Sequence, residues 1–85
     1  MHEGVKTIEM VQGGLELEHF DLLVSLTSIR SDKVIKALRS HLVYGMRPVE
    51  AVSTSGTSFS QFSSRLTILE DVNDKVARAA RFYIQ

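Results

Sequence analysis

Apolar residues recur at helical spacing along most of this chain, and no stretch alternates long enough to predict a strand. An apolar segment at residues 15–29 comes first, followed by a well-defined helix at about 32–44. Two shorter patterns predict helices at about 48–54 and 58–71. A last apolar series reaches the C-terminal end, as a further helix or as a continuation bent near Asn73. The pattern therefore predicts an all-α fold, a small helical domain of about five helices.

Helix start and stop residues support these boundaries. Ser31 is a typical N-cap, and Gly45 stands where a left-handed C-terminal cap is expected. Pro48 suits a first helical position because its missing N–H would be unpaired there in any case. Gly56 can take a positive φ, and Ser58 can then cap the helix that follows. Residues 47–70 are therefore predicted to form two helices joined by a tight turn.

Apolar positions within residues 15–29 are too numerous for one helical stripe. A helix that is apolar on several sides is either deeply buried or lies at a subunit interface. In a chain of 85 residues we favour the interface, because so small a domain buries only about 60 to 65% of its unfolded surface. The candidate oligomerisation residues are Leu15, Leu17, Phe20, Leu22, Leu23 and Leu26.

Length and composition predict one domain at residues 15–85, preceded by a flexible arm at residues 1–14 that ends in Gly13 and Gly14. No Cys is present, which excludes disulfides and thiolate metal sites. No apolar run reaches the roughly 20 residues of a membrane span, and no signal-peptide pattern precedes the domain. We therefore expect a cytoplasmic protein with no membrane partner.

The second helix of the 47–70 pair carries short polar side chains on its outer face. Projected at about 100° per residue, Thr57, Ser60, Gln61 and Ser64 lie opposite the apolar side. Short donors and acceptors of this kind can approach base edges, whereas a solvated helix face usually carries Glu and Lys. This arrangement is typical of a helix-turn-helix that reads DNA, with an ordinary helical hairpin as the alternative.

Charge is distributed unevenly although the net charge is zero. Residues 1–29 hold one Lys against five acids, residues 30–47 hold five basic residues against Asp32, and residues 48–85 balance four against four. The basic block thus precedes the two-helix motif, as phosphate contacts would require, although a solvated face is an equal alternative. The candidate DNA contacts are Lys33, Lys36, Arg39, Arg47, Thr57, Ser58, Ser60, Gln61, Ser63, Ser64 and Arg65.

Catalytic chemistry finds little support in the sequence. The three His residues have no ligand-like spacing, and no nucleophile motif or phosphate-binding glycine loop is present. The expectation is therefore a protein that is not an enzyme and needs neither metal nor cofactor.

From about residue 19 to 83 the chain resembles the PapB family of adhesin-biosynthesis transcription regulators of enteric bacteria. The resemblance rests on the segment LLVSLTSIRSDKVIKALRSHLVYG at 22–45, on the two-helix motif, and on the residues from Asn73 to Tyr83 with Ala77 and Arg78. It implies a regulator of a fimbrial or adhesin operon that binds AT-rich double-stranded DNA near the promoter as a cooperative homo-oligomer, a dimer or higher. It also implies that residues 47–65 contact DNA and that residues 15–29 join protomers together with the C-terminal helix.

The chain departs from the family pattern around the motif. Ser55 and Thr57 replace larger apolar residues, and Pro48 replaces a basic residue. Glu70 and Asp71 bring negative charge beyond Leu69, and Asp71 projects onto the outward side. An acid there repels phosphate and weakens DNA binding. The alternative function is therefore a protein-interaction module of the same fold, which binds DNA weakly and modulates a related regulator through mixed oligomers.

Overall fold

The computed structural model describes residues 10–84, and among them it contains four helices and no strand. The helices are α1 Leu17–Ser25, α2 Asp32–Leu42, α3 Pro48–Ser55 and α4 Phe59–Ala80. The all-helical prediction is confirmed, but the expected number of about five helices is wrong. The two C-terminal segments form a single helix of 22 residues, about 33 Å long. Asn73 does not break it, because Asn is an indifferent helix former and not a helix breaker.

Helix α1 ends at Ser25 and is shorter than the apolar segment that predicted it, with a last turn closed by the Leu26 N–H, which donates to the Leu23 carbonyl at 3.1 Å. The Ser25 hydroxyl donates to the Leu22 carbonyl at 2.6 Å, and the Thr27 hydroxyl donates to the Val24 carbonyl at 2.7 Å. Such bonds satisfy the last carbonyls that a continuing helix would otherwise pair. Residues 26–31 therefore form a connection that turns the chain into α2.

Four of the five predicted start and stop residues act as expected, namely Ser31, Pro48, Gly56 and Ser58. Ser31 accepts from the Val34 N–H at the start of α2, and Ser58 accepts from the Gln61 N–H at 3.1 Å at the start of α4. Pro48 occupies the first turn of α3. Gly56 caps the end of α3 with a positive φ of 81°. The cap predicted at Gly45 is wrong, because α2 ends at Leu42 with Val43 as its right-handed C-cap, and Gly45, with φ 80°, lies two residues beyond that cap. Local sequence signals thus set these boundaries.

A single core forms where all four helices meet. Its largest fully buried side chains are Phe20, Leu23, Val34, Leu38, Leu42, Phe62 and Leu69. Ala51 is the fully buried residue of α3, whereas its neighbour Val52 is only half-buried. A small side chain at position 51 lets α3 approach α2 closely. The core thereby fixes the orientation of the two-helix motif.

Residues 10–14 are the described part of the predicted arm, and they contact the end of α2. The Gly13 N–H donates to the His41 carbonyl at 2.9 Å, and the Gln12 side chain donates to the Gly45 carbonyl at 2.8 Å. Leu15 follows with an N–H bond of 2.9 Å to the Leu42 carbonyl. These bonds hold residues 12–15 against the α2–α3 connection, and the rest of the predicted arm lies outside the described residues.

Beyond Asn73 no described residue is buried, although α4 continues to Ala80. The described part of the chain is accordingly elongated, with extents of 44 × 23 × 20 Å. None of the helices within residues 10–84 is long and apolar enough to cross a membrane.

Candidate nucleic-acid interface

The turn between α3 and α4 places two helix ends side by side at one surface. Gly56 takes φ 81°, and its N–H donates to the Val52 carbonyl at 3.1 Å. The chain then reaches the Ser58 cap within two residues, so α4 starts directly beside the end of α3. Because the Ser58 hydroxyl already accepts from the Gln61 N–H, its role in the structure is to start α4.

The outer face of α4 carries the predicted polar residues. Ser60, Gln61 and Ser64 are exposed, whereas Thr57 is half-buried. The Thr57 hydroxyl donates to the Gln61 amide oxygen at 3.2 Å, which orients the amide of this exposed residue and leaves its NH₂ group as a donor. An oriented Gln side chain is suited to a bidentate contact with adenine.

Arg65 and Ser63 flank this face. Arg65 is half-buried and donates to the Ser64 hydroxyl oxygen at 2.7 Å, which fixes its guanidinium along the helix surface. Ser63 is exposed, and its backbone carbonyl accepts from the Thr67 hydroxyl at 3.1 Å. The structure thus brings the predicted polar residues of α4 together on one surface.

Hydroxyl groups at the end of α3 serve the helix itself. The Thr54 hydroxyl donates to the Glu50 carbonyl at 2.8 Å, and the Ser55 hydroxyl donates to the Ala51 carbonyl at 2.7 Å. Ser55 is half-buried, and its hydrogen bond satisfies a hydroxyl that would otherwise cost free energy to bury. This bond explains how Ser55 can stand where an apolar residue was expected. Thr54 and Ser55 of α3 therefore bond backbone carbonyls of their own helix, whereas Ser60 and Ser64 of α4 are exposed on its outer face.

Arg47 lies at the start of α3 with 74% of its side chain exposed. Its guanidinium donates to the Glu50 carboxylate at 2.9 Å, and this hydrogen bond together with the charge attraction raises the pKa of Arg47 and lowers the pKa of Glu50. The cation is therefore positioned but partly neutralised. A nucleic-acid phosphate would compete with Glu50 for it.

The three basic residues of α2 do not form one patch. Lys33 is near the α3–α4 turn, since a Cβ built on Gly56 would lie 3.9 Å from its Cδ. The Arg39 guanidinium instead stands 5.7 Å from the centre of the Phe20 ring, beside α1. Lys36 is exposed between these positions along α2. The structure therefore groups Lys33 with the α4 face and separates Arg39 from it.

The predicted oligomerisation residues separate into two sets. Leu15, Phe20 and Leu23 are buried in the core, so they are not available to a second chain. The structure thus places these three residues in the hydrophobic core and not at the predicted interface. Leu17, Leu22 and Leu26 are exposed and remain candidates. Periodicity alone could not separate the two sets because apolar residues occupy adjacent positions of α1.

Sequence reasoning missed an apolar spot beside Arg47. Val49 is 69% exposed and Phe59 is 49% exposed, and both line a shallow depression with Arg47, Pro48 and Gln12. The first helical turn of α3 and that of α4 supply the two apolar side chains. No signal in the sequence placed Gln12 here, because only the tertiary bond to the Gly45 carbonyl brings it to this surface.

Within residues 10–84, no three His, Asp or Glu side chains come close enough together to hold a metal ion. The fold and the polar face of α4 thus define a small all-helical protein with an outward helix surface suited to binding. The sequence profile of the PapB family, described as adhesin biosynthesis transcription regulatory protein, matches residues 1–83. The chain belongs to this family, which is a family of transcription regulators and not of enzymes.

Regulators from Escherichia coli are similar to the chain. The F1845 adhesin operon regulatory protein is 39% identical over 64 residues, which cover 75% of each sequence. The AFA-III adhesin operon regulatory protein is 34% identical over 74 residues, covering 87% of this chain and 73% of the relative. The pilus operon regulatory protein PapB is also 34% identical over 74 residues, covering 87% of this chain and 71% of its own.

A solved structure is similar to the fold described above. The crystal structure of E. coli FocB superposes with a TM-score of 0.84 at 32% sequence identity, covering 91% of this chain and 88% of that one. The similarity therefore extends over nearly the whole described chain.

Proposed function

We propose that this protein is a cytoplasmic regulator of a fimbrial or adhesin operon, which binds AT-rich DNA near the promoter as a cooperative homo-oligomer. Family membership supports a role in transcription regulation. The observation that supports DNA as the ligand is the surface at the α3–α4 turn. There the outward Ser60, Gln61 and Ser64 lie on one helix face, with the cations Arg47 and Lys33 at the adjoining turn and helix start.

The proposed contacts divide by chemistry. α3 and α4 act as a helix-turn-helix in which Gln61 and the serines of α4 face base edges. Arg47, Arg65 and Lys33 face phosphates, which supply most of the sequence-independent affinity. Lys36 is a further candidate phosphate contact. Arg39 stands beside Phe20 of α1 and so lies away from the surface at the α3–α4 turn.

A salt titration of DNA binding tests the assignment of the two arginines. We expect the purified protein to bind AT-rich DNA from upstream of its own operon, with an affinity that falls as salt rises. If Arg47 and Arg65 each contact one phosphate, the variant R47A/R65A flattens the slope of log K against log salt by about 1.8, at about 0.9 per contact. The matched control R47K/R65K keeps both charges and therefore most of the slope. An unchanged slope in R47A/R65A would remove both residues from the interface.

A second candidate function is an interaction module that modulates a related DNA-binding regulator through mixed oligomers. The Arg47–Glu50 ion pair and the zero net charge favour it, because both lower the attraction for phosphate. This alternative predicts weak binding by the purified protein alone and stronger retardation when a related regulator is added. Tight, salt-sensitive binding by the protein alone would exclude it.

A further inference from the structure

A cleft lies between the α1–α2 connection and the middle of α4. It has a volume of about 470 Å³ and is lined by Ser28, Ile29, Arg30, Ser31, Arg65 and Ile68. The lining residues 28–31 belong to the connection, and the other two lie on α4. No residue of the connection is among the proposed DNA contacts, so the proposed function gives this side of the cleft no role.

Two arginines line the cleft, one from each element. Arg30 belongs to the connection and Arg65 to α4. Neither has an ion-pair partner within residues 10–84, and no acidic side chain in that range lines the cleft. The two positive charges therefore repel each other, and an anion bound between them would lower the electrostatic energy of the pair. The charge at the cleft thus favours a negatively charged ligand.

Hydrogen bonds within the chain position both guanidinium groups. Arg30 donates through Nη1 to the carbonyls of Thr27 and Ile29, each at 3.0 Å. Arg65 donates through Nη1 to the Ser64 hydroxyl oxygen at 2.7 Å. The Nε and Nη2 donors of both side chains make no hydrogen bond with the described residues and are available to a ligand. Because the groups are already held, an anion orders less on binding than it would at two mobile arginines.

Hydroxyl groups of the connection add neutral donors. Ser28 is exposed, and its hydroxyl makes no hydrogen bond with residues 10–84. The Ser31 oxygen accepts from the Val34 N–H at 3.4 Å, which leaves its hydroxyl hydrogen to donate. A phosphate group presents its acceptor oxygens in a tetrahedral arrangement, so it can accept from two guanidinium groups and a hydroxyl at once. A carboxylate has only two oxygens in one plane, so the donor set suits a phosphate better.

Apolar surface stands beside these donors. Ile68 lines the cleft and is 39% exposed. Its side chain offers a contact for the sugar or other organic group that carries a phosphate, since burying apolar surface is favourable. The cleft therefore suits a phosphate ester better than the bare inorganic ion.

We propose that the cleft binds a phosphate group between the Arg30 and Arg65 guanidinium groups, with the Ser28 and Ser31 hydroxyls as further donors. The phosphate belongs either to the DNA backbone next to the α3–α4 turn or to a free phosphate ester. In both cases Arg65 joins the cleft to the polar face of α4, so occupation of the cleft and DNA binding are coupled. The DNA source rests on the proposed function, whereas the site itself does not.

Titration without DNA tests the site itself. Inorganic phosphate and phenyl phosphate are added at constant ionic strength, and backbone amide chemical shifts are recorded by NMR. We expect saturable shifts at residues 28–31 and around Arg65, with phenyl phosphate binding more tightly. Arg30→Gln should weaken the binding of both probes roughly tenfold, because it removes the charge but keeps an amide that can donate to the same carbonyls. R39Q makes the same charge change beside Phe20 and should leave the affinity unchanged.

The salt dependence of DNA binding identifies the source of the phosphate. If the phosphate belongs to DNA, R30Q flattens the slope of log K against log salt by about 0.9, whereas R30K keeps the charge and retains the slope. If R30Q leaves the slope unchanged but weakens the binding of phenyl phosphate, the source is a free phosphate ester. Because Arg30 is exposed, circular dichroism should show the same helix content in both variants as in the wild-type protein.

The outcomes separate this inference from the proposed function. A protein that binds phosphate in the cleft and has no affinity for DNA would refute the proposed function alone. The inference is overturned if R30Q changes neither the salt slope nor the phosphate affinity. It is equally overturned if R39Q matches R30Q in both measurements, because net charge and not the cleft would then attract the anion.

Discussion

The division of α1 into a core side and an outer side leads to a prediction that compares neighbouring leucines. Leu23 is 2% exposed, and Leu22, one residue earlier on the same helix, is 58% exposed. Each truncation to Ala removes the same atoms and favours helix formation to the same degree. The difference between L23A and L22A therefore reports burial alone.

Burial sets the expected magnitudes. A Leu to Ala change in a packed core costs about 2 to 5 kcal/mol, the lost transfer free energy plus the cavity left behind. We expect about 3 kcal/mol for L23A, since the side chain is almost fully enclosed. A domain of 85 residues has a free energy of unfolding of about 4 to 13 kcal/mol, so L23A removes a large part of it. Exposed changes such as L22A usually stay within about 0.5 kcal/mol.

Urea unfolding followed by circular dichroism measures both variants. It should be run at several protein concentrations, because self-association makes the apparent free energy of unfolding depend on concentration. In thermal unfolding, L23A should lower the Tm by roughly 12 to 24 °C, at about 4 to 8 °C per kcal/mol for a domain of this size. Equal losses in L22A and L23A would contradict the placement of α1. A loss in L22A that vanishes at low concentration would assign Leu22 to an interface.

Three further predictions follow from the turns and the Arg47–Glu50 pair. G13A should destabilise the protein by about 1 kcal/mol or more, and G56A should destabilise it by less. Both glycines have a positive φ, but of the two only Gly13 would place an added Cβ 3.1 Å from another backbone atom. Chemical unfolding of the two variants measures the difference. S58A should cost about 1 kcal/mol by removing the α4 cap, as unfolding and amide exchange at the helix start would show. E50Q should strengthen DNA binding about two- to fivefold at low salt by freeing Arg47, and weaker binding in a fluorescence anisotropy titration would argue against a phosphate contact there. The ion pair lowers the pKa of Glu50, so the pair is fully formed above the ordinary Glu pKa and is lost as pH falls through the lowered value. The advantage of E50Q over the wild-type protein in DNA binding should therefore shrink as pH falls through that range.

The elements that the sequence predicted well are those controlled by local rules. Ser31, Pro48, Gly56 and Ser58 each act through atoms within four residues, so their roles could be read from order along the chain. The continuity of α4 could not be read in this way, because Asn is an indifferent helix former and the packing that buries Asn73 is not visible in the order of residues. Burial comes from the whole fold and leaves no mark in a local window.

The candidate interface shows the same limit. Helical projection placed Ser60, Gln61 and Ser64 correctly on the outside of α4, because the geometry of one helix is fixed. Projection did not show that Arg39 lies over Phe20, since that contact joins α2 to α1. The relative positions of side chains on one helix can therefore be predicted from the sequence. Contacts between side chains of two helices cannot, because they depend on the packing angle between the helices.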